Sequence, residues 1–168
     1  MDASRVLRIT MVLSICAVIF QIIGLASPYW VTGDTTNLKF NLGLWKLCVE
    51  GFSRMEVSEC YDIKHAKLGD WFKAVQALSI MGLLSLLLAV VMVVLKLFVL
   101  KDSKAVIFVA IGASFAGAVF ILISIAVFAD KINELNSKSD SDLNFHYHFA
   151  FALSIMGMLA AIGCGVAV

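Results

Sequence analysis

Charge is sparse in this chain. Of its 168 residues, 13 are basic and 12 acidic, while 61% are hydrophobic. A soluble domain of this length carries roughly 45–50% apolar residues. The near balance of charge excludes the basic footprint of a nucleic-acid binder. Four stretches, 9–33, 74–95, 105–129 and 143–168, hold no Asp, Glu, Lys or Arg. Each is longer than the roughly 20 apolar residues that cross a bilayer core. Proline occurs once, at Pro28, so no proline interrupts the last three runs. No asparagine is followed by x-Ser/Thr, so no N-glycan is expected. With no charged side chain in any run, a pump or transporter is disfavoured. No nucleophile–base pair, metal constellation or phosphate-cradling loop stands out either, so neither an enzyme nor a cofactor is expected.

What is there predicts an all-α membrane protein: a four-transmembrane-helix bundle in one domain, with the lipid bilayer as its first partner. The spans are expected at about 8–28, 74–95, 105–129 and 147–168, joined by outer loops at about 29–73 and 130–146 and an inner loop at 96–104. Arg5 and Arg8 ahead of an apolar run resemble a signal peptide. That run is long enough to span, so it is read as an uncleaved first span. The short inner loop makes the second and third spans antiparallel neighbours. Counting Lys and Arg leaves the orientation ambiguous. Cys48 and Cys60 stay bridged only on a non-cytosolic face, which sets the first loop outside and both termini in the cytosol of a plasma-membrane protein.

The first outer loop carries strand patterns. Leu38, Phe40, Leu42 and Leu44 alternate with Lys39, Asn41 and Gly43. The phase slips at Leu44-Trp45, which suggests a bulge, and Trp45, Leu47 and Val49 then alternate with Lys46, Cys48 and Glu50. Beyond a turn at Gly51-Phe52-Ser53-Arg54 the alternation resumes through Ile63. A hairpin turning near residue 54 sets Cys48 opposite Cys60 as a cross-strand disulfide, worth roughly 3 kcal/mol for a loop of this size. A zinc pair is the alternative, with only His65 near in sequence as a further ligand. Glu56 and Asp62 share the phase of Cys60, and Glu59 lies on the other phase. These three carboxylates are the candidate contact or pore-facing groups. Six basic and six acidic residues balance the loop, which favours a solvated strand face over an ion path.

Small and polar residues mark helix-packing stripes in the spans. In the first span they are Ser14, Ala17, Gln21, Gly24 and Pro28, with Gln21 read as an interhelical hydrogen-bonding group. The second span offers Ser79, Gly82 and Ser85. The third carries two interleaved pairs, Gly112 with Ala116 and Ala113 with Gly117, for packing within the bundle or between copies. The fourth repeats Gly157, Ala161 and Gly165, and is expected to keep Val166-Ala167-Val168 within the span. Ile132 and Leu135 extend the third helix past the membrane, ahead of a polar turn from Asn136 to Asp142. His146 and His148 share a face if they lie on one strand, as interfacial polar groups or as a metal or proton site. Cys16 and Cys164 are read as inert apolar residues, with acylation of Cys164 open if it reaches the inner interface.

Trp30, Gly43-Leu44-Trp45, Cys48 and Cys60, in the first outer loop of a four-span chain, resemble the signature of the claudin superfamily, which includes the peripheral myelin protein and epithelial membrane protein branch. The segment Trp71-Phe72-Lys73-Ala74-Val75-Gln76-Ala77 looks nearer that branch, since claudins usually carry an arginine near the position of Gln76. The resemblance implies a left-handed bundle capped by a small extracellular antiparallel sheet, anchored by the tryptophans and the disulfide. Two functions follow as expectations. One is a cell-contact, junction or barrier protein that self-associates in cis and in trans through its outer sheet. The other is an auxiliary or membrane-organising subunit that packs its small-residue stripes against another membrane protein.

Overall fold

The computed structural model describes residues 3–34, 38–51, 58–65, 68–99, 103–138 and 144–167. Four helices, each long and apolar enough to cross a membrane, form the bundle: α1 (Ala3–Ala26), α2 (Asp70–Phe98), α3 (Lys104–Lys138) and α4 (Phe149–Ala167). Their outer faces expose leucine, isoleucine and valine, among them Val12, Ile19, Leu84, Val91, Val119 and Leu159. Contiguous apolar exposure on every helix is what a lipid-facing surface requires and what a soluble protein avoids.

Helix ends follow local chemistry. The last α1 bond runs from Ser27 N to Ile23 O at 3.0 Å. Pro28, which cannot donate and disfavours a helical residue before it, stops the helix there. Asp70 sits in the first turn of α2 and Lys96 in its last, each matching the helix dipole. α3 outruns its charge-free stretch: from Asp130 to Lys138 it projects beyond the apolar run. Each helix has two main neighbours, α1 lying against α4 and α2, and α3 against α2 and α4.

A five-stranded antiparallel sheet stands on the end of the bundle where α1 ends and α2 begins. Its strands are β1 (Val31–Asp34), β2 (Leu38–Leu42), β3 (Lys46–Gly51), β4 (Ser58–Asp62) and β5 (Asn144–Tyr147), in the order β4-β3-β2-β1-β5. β5 comes from the second connection and closes on β1, with Val31 opposite Tyr147 and Gly33 opposite Phe145. Alternation sorts the sheet into two faces. Val31, Leu42, Leu47, Tyr61 and Tyr147 share one row, and Gly33, Phe40, Val49, Glu59 and Phe145 the next row of the same face. Thr32, Asn41, Cys48, Cys60 and His146 lie on the opposite face, where Thr32 Oγ1 donates to Asn41 Oδ1 at 2.9 Å. The apolar face closes a core with both helical layers: Val31 and Leu42 join Phe72 and Val75 of α2, Phe128 and Ile132 of α3, and Ala150 of α4.

Three expectations change. The phase slip at Leu44-Trp45 is a hairpin turn rather than a bulge: β2 ends at Leu42, β3 starts at Lys46, and Gly43 N donates to Lys46 O at 2.9 Å. The outer-loop segment from Val31 to Asp34, ahead of the strand patterns read in the sequence, is an interior strand of the sheet. His146 and His148 do not share a strand: β5 ends at Tyr147, and His148 turns into α4 with its N–H on Trp30 O at 3.0 Å. The proposed turn at residues 52–54 lies outside the described residues, as does the second half of the polar turn before β5.

Candidate functional site

The sheet meets the bundle at a collar made of the singled-out residues. Trp30 is fully buried. Its ring meets Phe128 of α3 edge-on at 5.0 Å and Phe151 of α4 at 5.8 Å. Its Nε1 donates to Gly24 O at 2.6 Å, one of the carbonyls that the end of α1 leaves without a helical partner. Its backbone is committed on both sides, the N–H to Leu42 O and the carbonyl to His148 N, each at 3.0 Å. One residue therefore ties α1, β2 and the start of α4 together around a buried aromatic cluster.

Gly43 sits against the end of α1. A side chain there would place Cβ 2.4 Å from Pro28 Cα and 2.5 Å from Ser27 O, both backbone atoms. Only glycine permits so close an approach. Its neighbour Leu44 is fully buried, and the Leu44 carbonyl accepts a 2.6 Å hydrogen bond from Gln76 Nε2 of α2. The turn is thus held from α1 by contact and from α2 by a hydrogen bond. Trp45, next in line, points the other way and stays 39% exposed, while its carbonyl accepts Ile63 N at 3.0 Å. Of the two tryptophans in the signature, one anchors and the other presents a surface.

Cys48 and Cys60 are bonded across β3 and β4 as directly opposed residues, with a sequence separation of 12. Of the three candidate carboxylates, the two described take the opposite phases read from the alternation. Glu56 lies outside the described residues. Glu59 is on the face shared with Tyr61, whose hydroxyl donates to it; that bond and the nearby negative charge push the Tyr61 hydroxyl above its usual pKa. Asp62 falls on the opposite face at the last position of β4, opposite Lys46. Glu59 and Asp62 therefore do not line one surface.

In the bundle, the two stripes of α3 part company. Ala113 and Gly117 are buried, and a Cβ on Gly117 would meet Leu86 Cδ2 at 2.9 Å and Gly82 O at 3.2 Å. Gly112 and Ala116 are turned away from the bundle, with nothing within 4 Å of a Cβ on Gly112. That corrects their assignment as packing residues within the chain. On α4, Gly157, Ala161 and Gly165 are buried; Gly157 lies against Ala17 O, at 3.2 Å from its built Cβ, and Gly165 against the Phe115 ring, at 2.9 Å. Ser79 and Ser124 share a 2.7 Å hydrogen bond between α2 and α3, and Ser124 also reaches Val75 O at 3.1 Å. Cys164 is buried, accepting from Ser114 Oγ at 3.7 Å and donating to Thr10 O at 3.8 Å, so it is not a surface thiol open to acylation. Gln21, expected to bridge helices, is fully buried without a partner for either atom of its amide among the described residues.

The α3 overhang is charged and ordered by local pairs. Lys131 Nζ contacts Glu134 at 2.6 Å, and Lys138 pairs with the same carboxylate. The hydrogen bonds from Lys131 and Lys138 hold Glu134 at about 2, well below 4.5. Tyr147 reaches the overhang from β5, its hydroxyl donating to Asn133 Oδ1 at 3.2 Å, and burial raises its pKa.

The sequence reading missed Phe128, Phe151 and Gly33. The first two complete the setting of Trp30. Gly33 leaves room for the Phe40 ring, whose Cζ would lie 2.1 Å from a Cβ there, and which meets Phe145 at 5.7 Å. The available signal was an aromatic at the end of each neighbouring apolar run. A sequence profile of the PMP-22/EMP/MP20/Claudin family matches residues 3–168. No curated protein matches the chain by sequence.

Proposed function

The chain belongs to the PMP-22/EMP/MP20/Claudin family, and from that premise we propose that it acts in cell–cell contact, as a junction or barrier component whose sheet pairs with other copies. The observation that carries this reading is the sheet itself: a disulfide-stapled platform fixed rigidly to a membrane bundle, ending at β4 and β5 as edge strands. Edge strands present unpaired backbone groups, the general means by which one sheet adds to another. In this reading the sheet is extracellular and both termini are cytosolic, because the bridge persists in an oxidising compartment. An epitope at residue 1 that reacts with antibody on intact cells would overturn that orientation. The test of function is distribution in cells that lack junctions of their own. Enrichment only where two expressing cells touch is expected. A uniform surface distribution would sink the contact reading.

A second reading is favoured by one specific observation. Gly112 and Ala116 face outward on α3 with open space above Gly112, between the exposed Phe108 and Val119. A small-residue notch facing lipid suits a helix of another membrane protein. In that case the chain is an auxiliary subunit, and Gly112→Leu would release a stoichiometric partner in pull-downs from membranes while leaving contact enrichment unchanged.

A further inference from the structure

A cleft of about 630 Å³ opens between the end of β4 and the first turns of α2. Its walls include Trp45, Asp62, Lys64, Phe72, Lys73 and Gln76. Its depth follows from the sequence. The charge-free stretch of α2 begins at residue 74, so Lys73 is the last charge before the span and Gln76 lies one turn deeper. Asp62 and Lys64 stand on the sheet side. The cleft therefore straddles the polar boundary of the bilayer, a layer roughly 5–7 Å thick on each side of the hydrocarbon core.

The composition of the walls narrows the occupant. A hydrocarbon chain alone would face three charged side chains among the described residues, Asp62, Lys64 and Lys73. An anionic headgroup would suit Lys64 and Lys73 but be repelled by Asp62. A zwitterion with a phosphate beside a quaternary ammonium matches all three. The indole of Trp45, exposed although Leu44 beside it is fully buried, supplies the aromatic face on which quaternary ammonium groups settle. Lys73 makes a surface pair with Asp70 at 3.0 Å, with side chains 77% and 95% exposed, and such pairs are weak enough to exchange for a phosphate.

We propose that this cleft holds the phosphocholine headgroup of a lipid in the leaflet nearest the sheet. Lys64 and Lys73 face the phosphate, Trp45 and Asp62 face the trimethylammonium, and the half-buried Leu68 of the same wall lies beside the start of an acyl chain. The exposed signature tryptophan is then a lipid contact, and a choline lipid is seated where sheet and bundle join.

The test uses the full chain in maltoside micelles, with dioctanoyl phosphatidylcholine and dioctanoyl phosphatidylglycerol added in turn and retained lipid counted by native mass spectrometry. Wild type is expected to keep the choline lipid in preference. Trp45→Ala should weaken its retention about 3- to 30-fold, the range for loss of a cation–π contact. Asp62→Lys, at an exposed position, should abolish or reverse the preference for choline over glycerol. Soluble phosphocholine should displace the lipid only at far higher concentration, since it lacks the acyl chains that hold the lipid in the micelle. Equal retention of both lipids by wild type, or unchanged selectivity in Asp62→Lys, would overturn the assignment. Displacement by soluble phosphocholine at equal concentration would overturn the lipid as its source.

Discussion

The sheet end of the bundle and its far end are packed by opposite means. At the sheet end Trp30, Phe72 and Phe128 are almost fully enclosed and touch ring against ring. Toward the far end the contacts are made by Thr10, Ser14 and Ala17 on α1, Gly157, Ala161 and Cys164 on α4, and the mutual approach of Gly82 and Gly117 between α2 and α3. The first region fills space with bulk, and the second removes bulk so that backbones come close. Solvent explains the contrast. Near the sheet, burying an aromatic ring takes apolar area out of water, and area is what counts. Within the hydrocarbon layer there is no water to escape, and close backbone contact and interhelical hydrogen bonds take over.

That contrast predicts that one end fails when atoms are removed and the other when they are added. Trp30→Ala should show the largest effect, a loss of about 3–5 kcal/mol from the cavity and the orphaned Gly24 carbonyl, read by reversible unfolding in bicelles. Cys48→Ser comes next, at roughly 2–5 kcal/mol by the general range for such bridges, and should reduce surface delivery. Both free thiols in surface-delivered wild-type protein would contradict its basis. Gly117→Leu should cost about 1–3 kcal/mol by overpacking against Leu86, whereas Gly112→Leu, one stripe away on the same helix, should leave unfolding unchanged. Equal effects from the two would break the comparison. Gln21→Met is expected to stabilise by about 1 kcal/mol, because it removes a buried amide with no partner among the described residues while keeping its volume. The smallest effect concerns pH at the α3 overhang. Glu134 titrates at about 2 instead of 4.5, so its ion pairs contribute fully above about 4.5 and are lost as the pH falls through about 2. Amide protection in residues 133–138 should therefore be the same at pH 5 as at pH 7.

Much of this was legible in the sequence for a physical reason. A charge costs so much in hydrocarbon that its absence over 20 residues marks a helix without reference to any neighbour. The pairing of Cys48 with Cys60 was readable because a hairpin register is a local property, set by the alternation on either side of one turn. β1 was not readable: its four residues include Gly33 and Asp34, and it is a strand only because β2 and β5 flank it, the latter from the far side of two helices. The turn at Gly43 looked like a bulge because both shift the alternation by one, and only the approach of Pro28 separates them. On α3, Gly112 with Ala116 and Ala113 with Gly117 are equivalent as patterns. Which pair turns inward depends on Gly82 and Leu86 of another helix.

Trp30 has a mechanical consequence. Any pull on the sheet must pass into the bundle, and the route is set by which bonds cross between the two bodies. The disulfide does not cross: it links two strands within the sheet. Trp30 does, holding β2 through its N–H, the approach to α4 through its carbonyl, and α1 through its indole. Part of a pull on the sheet thus passes through one residue to the ends of the first and last helices, which pack against each other along their length, while the Gln76 bond to Leu44 passes part to α2. Tension arriving at Trp30 draws α1 and α4 as a pair.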